Sequence, residues 1–294
     1  MIHSIFSFRS FIYIVYAVLL TAVLLYVRFP AEQFKQFCER RIKNILPEST
    51  CTIDQIGYRF PFSAVYKNIA LNRVIDGQET AMVVDQLVIS ANSRRFWRTF
   101  SLNGKIYSGL FAADLDFDRR AHSFALANIL VEGLQVGDLA KSIGLSERKI
   151  SGIVKFSGDY KAPTSAPGDG NGKGIVEVAA GNISLLQPIL NLSILEFDKL
   201  AMRVTHEKGV VRLNEGEFLG REILADFTGE LRLASPFLNS NISLSGHMEP
   251  DEGFLRSNPQ EQQAVQSLLQ RYKMTVLPFK LGGTVQRPLF RFST

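Results

Sequence analysis

The residues able to do chemistry are few and scattered. His3, His122, His206 and His247 stand far apart, and no HxH, HExxH or CxxC spacing occurs. A zinc site or a metalloprotease needs ligands at such fixed short intervals, so no metal is expected. Asp114, Asp116 and Asp118 alternate with Ala113, Leu115 and Phe117. On an extended strand those carboxylates share one face at a spacing of about 6–7 Å. They lack the glycine-centred loop and terminal Glu of an EF-hand, so a solvated strand face is favoured over a calcium or acid–base site. The run from Gly168 to Gly174 is glycine-rich, but Pro167 stands where a phosphate loop needs its first Gly, and Gly174 where it needs Ser or Thr. Neither a G-x-S-x-G elbow nor a Rossmann glycine fingerprint is present. The chain reads as non-enzymatic, with no cofactor.

Two features suggest contacts rather than catalysis. Cys38 and Cys51, the only cysteines, are separated by twelve residues. In an oxidising compartment they would close a small loop, stabilising the fold by on the order of 3 kcal/mol; in a reducing one they are two small buried side chains. Arg94, Arg95, Phe96, Trp97 and Arg98 form the densest basic-aromatic cluster. Such a cluster suits an interface with lipid headgroups or nucleic acid, and equally a solvated corner between strands. The formal charge of +5 is a modest excess spread along the chain, and nucleic acid is not expected as a partner.

The elements that must position these residues follow from hydrophobic period. Ser10 to Val27 is an apolar stretch of eighteen residues bounded by Arg9 and Arg28. At helical rise it spans about 27 Å, close to the hydrocarbon thickness of a bilayer. Tyr26, Val27, Arg28, Phe29 and Pro30 follow instead of a small-residue cleavage site, which predicts a retained transmembrane helix. Five basic residues between Arg28 and Lys43 would by simple charge count place the long domain in the cytoplasm. That rule weakens before a long domain, and the paired cysteines favour export. After Pro30, Phe34, Phe37, Cys38, Ile42, Ile45 and Leu46 recur at helical spacing.

From Cys51 the period changes to two, and alternation continues through most of the chain. It is plain in Ile223, Ala225 and Phe227 against Asp226, Thr228 and Glu230. Short helices are expected from Leu134 to Ile143, from Leu185 to Leu192 and from Asn258 to near Arg271. The fold class is mainly β: an N-terminal transmembrane helix, then a bent antiparallel sheet paired in sequence order, with a few short capping helices. The expected organisation is a tail over 1–9, a transmembrane helix over 10–28, an amphipathic helix over 29–47, a first β-rich half over 48–160, a flexible linker over 161–174, and a second β-rich half over 175–294.

The order of these features resembles the protein N family of the type II (general) secretion pathway in its long form. The resemblance rests on the anchor, Phe29-Pro30, the amphipathic helix, and Cys51 to Leu71 with its Tyr58-Arg59-Phe60-Pro61-Phe62 turn. Leu277 to Val285 and Arg287 to Phe290 are similar to the closing motif of AsmA-like envelope proteins, whose sheets form an apolar groove. The resemblance implies a single-pass anchor in the bacterial inner membrane, an N-terminus in the cytoplasm and a main domain in the periplasm. Other secretion-system envelope proteins would be its partners. It brings no catalytic residues.

Two functions follow as expectations: an accessory structural component of the secretion system, or a protein that binds or transfers phospholipid along an apolar groove. The first requires Phe111, Leu115, Phe117, Phe227 and Leu231 to pack in a closed core, and the second lets them line an open trough. The helices at Leu134 and Pro259 are the candidate covers.

Overall fold

The computed structural model describes residues 12–17, 20, 31–45, 49–59, 62–75, 78–92, 98–145, 148–272 and 276–293. Two-residue periodicity dominates this span, and strands account for most of it. They are β1 (Ser49–Arg59), β2 (Ser63–Ile75), β3 (Gln78–Ala91), β4 (Thr99–Ile106), β5 (Gly109–Asp118), β6 (Ser123–Gln135) and β7 (Ile150–Pro163). β8 (Asn171–Ile189), β9 (Leu192–Glu207), β10 (Val210–Gly220), β11 (Ile223–Arg232), β12 (Asn241–Pro250), β13 (Leu277–Gly283) and β14 (Pro288–Phe292) continue the series. All fourteen form one antiparallel sheet in strict sequence order, the topology that short hairpin connections favour.

Four helices decorate the sheet: α1 (Ala31–Ile45), α2 (Val136–Ser142), α3 (Glu252–Ser257) and α4 (Pro259–Tyr272). α1 lies against the edge strand β1. Its Glu39 Oε1 accepts a hydrogen bond from the Ile53 amide at 3.0 Å, satisfying an edge donor that no strand meets. Phe34 and Cys38 pack on Cys51, Ile53, Ile56 and Tyr66. α2 contacts β3, β6 and β7. Asp251 caps α3 by accepting from the Phe254 amide, and Val265 of α4 is 2% exposed within the cluster of Ile189, Ile223, Met248, Leu277 and Phe279.

The sheet curls. β7 and the β13–β14 turn are six strands apart, about 29 Å on a flat sheet at ~4.8 Å per strand. Nonetheless Arg148, just before β7, donates from Nη2 to the Gln286 carbonyl in that turn. Ile189 of β8 likewise shares a buried cluster with Leu277 and Phe279 of β13. The core splits into three clusters, at β1–β2 with α1, at β8–β10, and at the C-terminal strands with α4. The contacts of Arg148 with Gln286 and of Ile189 with Leu277 and Phe279 describe a single curled layer.

Two expectations change, and a third lies mostly outside the described residues. Residues 161–174 do not separate two halves: Lys161 to Pro163 end β7, Asn171 to Gly174 begin β8, and Lys161 pairs with Asn171. The glycines there serve close approach, because Tyr160 overlies Gly170 and Gly172, and Phe156 overlies Gly174. The segment from Leu185 is strand to Ile189, with Pro188 placed in a register shift between Ser184 and Ile189 where no ladder amide is needed. At the N-terminus, residues 12–17 and Leu20 are helical with Ile12, Tyr13, Ile14, Val15, Tyr16 and Leu20 exposed. The remainder of the 10–28 segment lies outside the described residues, among which no helix is long and apolar enough to cross a membrane.

Candidate functional site

The feature that organises the molecule is the inner face of the sheet. Residues paired across antiparallel strands share a face, so registers can be followed from edge to edge. One such line runs Ile56, Tyr66, Leu87, Gly104, Phe111, Val131 and Phe156 across β1 to β7. It continues through Val176, Met202, Gly216, Phe227, Gly246, Phe279 and Phe292 across β8 to β14. No member is charged. Phe111, Val131, Phe156, Val176 and Met202 remain partly exposed, whereas Tyr66 and Phe279 at the two ends are buried. α1 covers β1–β2, α2 spans from β3 to β6 and β7, and α4 covers the C-terminal strands, so the helices cover the trough in part.

Curling turns this face into a cavity of about 280 Å³ over β8–β14, walled by Leu195, Leu200, Phe218, Phe227, Met248 and Phe290 from successive strands. Glycines make the curvature possible, since a strand without a side chain lets a neighbour's ring lie across it. Gly216 is covered by Phe227 and Gly181 by Phe197. Along one rim, the ring centroids of Phe100, Phe117, Phe124, Tyr160 and His206 follow one another at 6.2, 6.5, 6.4 and 5.7 Å. Tyr160 and His206 both pair with Gly172, and meet over it. His206 Nε2 accepts from the Gly209 amide at 3.3 Å, while Nδ1 is buried with no partner.

The outer face is the opposite. Lys155 pairs with Glu132 at 3.1 Å, Arg203 with Glu215 at 3.1 Å, Arg212 with Glu207 at 3.2 Å, and Arg221 with Glu196 at 2.8 Å. A shallow depression of about 730 Å³ on this face is lined by Arg203, Glu215, Asp226 and His247. Several of its charges already have partners: His247 Nδ1 sits 3.2 Å from Asp226 Oδ1, and Arg203 Nη1 3.1 Å from Glu215 Oε1. For hydrocarbon the apolar inner cavity is the better site.

Each residue singled out from sequence has a place. The aspartates are structural: Asp114 accepts from Ser101 Oγ at 3.0 Å and from Asn128 Nδ2 at 3.0 Å, and Asp116 pairs with Arg98. Asp118 accepts from the Arg120 and Ala121 amides, and these bonds hold its carboxyl below its ordinary pKa. Among the described residues no group of His, Cys, Asp and Glu is arranged to hold a metal ion. Arg94, Arg95, Phe96 and Trp97 lie outside the described residues. Arg98 pairs with Asp116 at 3.2 Å.

Cys38 and Cys51 share one cluster, as their expected proximity demands, but both are free thiols and the bridge is not formed. The Tyr66 hydroxyl hydrogen-bonds to Cys38, and burial first, then the Glu39 charge, pushes the Cys51 thiol pKa up. Sequence reasoning missed the rim ladder and Arg148. His206 looked isolated because its ring partner Tyr160 is distant in the chain, and nothing local marks Arg148.

The chain matches no protein-family model, no curated protein and no solved structure. Its function is therefore argued from the groove itself.

Proposed function

We propose that this chain is a non-enzymatic, membrane-anchored protein of the bacterial cell envelope whose curled sheet holds the hydrocarbon part of an amphiphile, with phospholipid as the natural source. One observation carries the reading: an apolar line crosses all fourteen strands, and its central residues stay partly exposed although helices pack over parts of the sheet. Monomeric proteins rarely leave so long an apolar face unmatched unless it binds something. The exposed apolar helix at 12–17 supports a membrane anchor, and the resemblance of Leu277 to Val285 to envelope proteins is what favours the periplasmic side.

The test is native mass spectrometry of the full chain extracted from membranes. A stoichiometric lipid adduct is expected, and Phe111→Glu, on the apolar line of the trough, abolishes it. A lipid-free chain whose mass spectrum is unchanged by Phe111→Glu refutes the groove.

A second reading, an accessory component of the type II secretion system, is favoured by the asymmetry of the sheet edges. α1 covers β1, whereas β14 pairs on one side only, with β13, leaving an edge suited to β-augmentation by a partner strand. A photo-crosslinker at Leu289, 58% exposed on β14, should then capture a secretion-system envelope protein in cells. Capture of none removes this reading and leaves the groove untouched.

A further inference from the structure

We propose that the groove selects amphiphiles with an anionic head, phosphate or carboxylate, and that Arg148 holds that head. The inference rests on the groove reading and deepens it. Arg148 lines the cavity of about 280 Å³, and apart from Ser184 and Gln187 the other side chains around it are apolar. Its guanidinium donates one hydrogen bond, from Nη2 to the Gln286 carbonyl. Among the described residues it forms no ion pair, in contrast to Lys155, Arg203, Arg212, Arg221 and Arg232, each matched to a Glu on the outer face.

Burial alone lowers the pKa of this guanidinium, which nonetheless stays protonated in proteins. A partly desolvated cation with spare N–H donors and no counter-charge among the described residues is an electrostatic demand that a bound anion satisfies. A planar guanidinium presents parallel donors matching either carboxylate or phosphate. Apart from Ser184 and Gln187, the remaining walls suit hydrocarbon. The volume falls just below the roughly 300–1,000 Å³ of small-molecule pockets, so a single alkyl chain fits beneath the head better than two.

The experiment uses the full chain held in an amphiphilic polymer and a diazirine-bearing palmitate as photoprobe, with cross-links mapped by mass spectrometry. Palmitate, hexadecyl phosphate and hexadecanol share one tail and compete for the probe. Cross-links are expected on the β8–β14 walls, with an acidic competitor at least about tenfold stronger than the alcohol, the worth of a charge-assisted hydrogen bond. Whether palmitate or hexadecyl phosphate competes better tells carboxylate from phosphate as the natural head. Arg148→Gln should bring all three together while the cross-links persist, Arg148→Lys should retain a preference, and Arg203→Gln should change nothing. If Arg148→Gln keeps the acidic preference, the assignment of Arg148 is overturned and the groove survives. If the wild-type chain gives no cross-link on these walls, the groove reading fails and takes the assignment with it.

Discussion

The ring of Phe227 on β11 lies across Gly216 on β10, so close that a Cβ at position 216 would fall inside its Cε2, Cδ2 and Cζ atoms. The pair sits in the second half of the apolar line and lets the sheet curl without a gap. Gly216→Val should therefore destabilise the protein by about 1–3 kcal/mol, the usual cost of overpacking. A denaturant midpoint shift with unchanged slope checks this; no shift would mean that Phe227 swings aside freely.

The open trough and the closed clusters should respond differently to truncation. Phe197 is 3% exposed within the Val178 and Phe218 cluster, and Phe197→Ala should cost about 3–5 kcal/mol. Phe111 stays partly exposed on β5, and Phe111→Ala should cost less than half as much. Equal losses in urea unfolding would indicate a sealed core around Phe111.

The cluster between α1 and β1 predicts alkaline lability. Burial raises the pKa of Cys38 and Cys51 above 9.0 and that of Tyr66 above 10.0, with the Cys38 charge adding to the effect on Tyr66. A group whose pKa is raised on folding binds its proton more tightly in the folded state. Its contribution is complete below the unfolded value and is lost as pH climbs through the folded one. Melting temperature should thus fall as pH rises above about 9. A Cys38→Ala, Cys51→Ala, Tyr66→Phe variant should show a flatter profile there even if less stable at neutral pH. An identical slope in the variant would place the sensitivity elsewhere.

Ion pairs of the outer face should matter little to stability. Arg203 and Glu215 are 3.1 Å apart with side chains 58% and 67% exposed, and solvent screens such pairs to about 0–1 kcal/mol. A double-mutant cycle on the two positions should give a coupling in that range that shrinks in high salt. A larger, salt-insensitive value would mean that the pair helps set strand register.

What the amino-acid sequence determined by itself is local. Period-two alternation at Leu115 and Phe117, or at Ala225 and Phe227, assigned each side chain to a face, because successive residues of a strand point oppositely whatever surrounds them. The helical stripes from Phe34 and from Ala264 marked α1 and α4 by the same logic, and the turn-rich spacing made sequential pairing the economical topology. Glycines and Pro188 misled, since a glycine's meaning depends on which ring lies over it: Gly172 and Gly174 read as flexible linker and are covered by Tyr160 and Phe156.

Only the tertiary structure decided what the apolar face encloses. Alternation cannot say whether a second layer covers it, because cover comes from elements remote in the chain. The curl brings Arg148 to the carbonyl of Gln286, 138 residues away. It sets that cation in the lining of an apolar cavity while outer-face cations such as Lys155 and Arg203 find carboxylates on neighbouring strands. Loop closure over such a distance is a property of all the intervening strand pairings together, and no short window of sequence contains it.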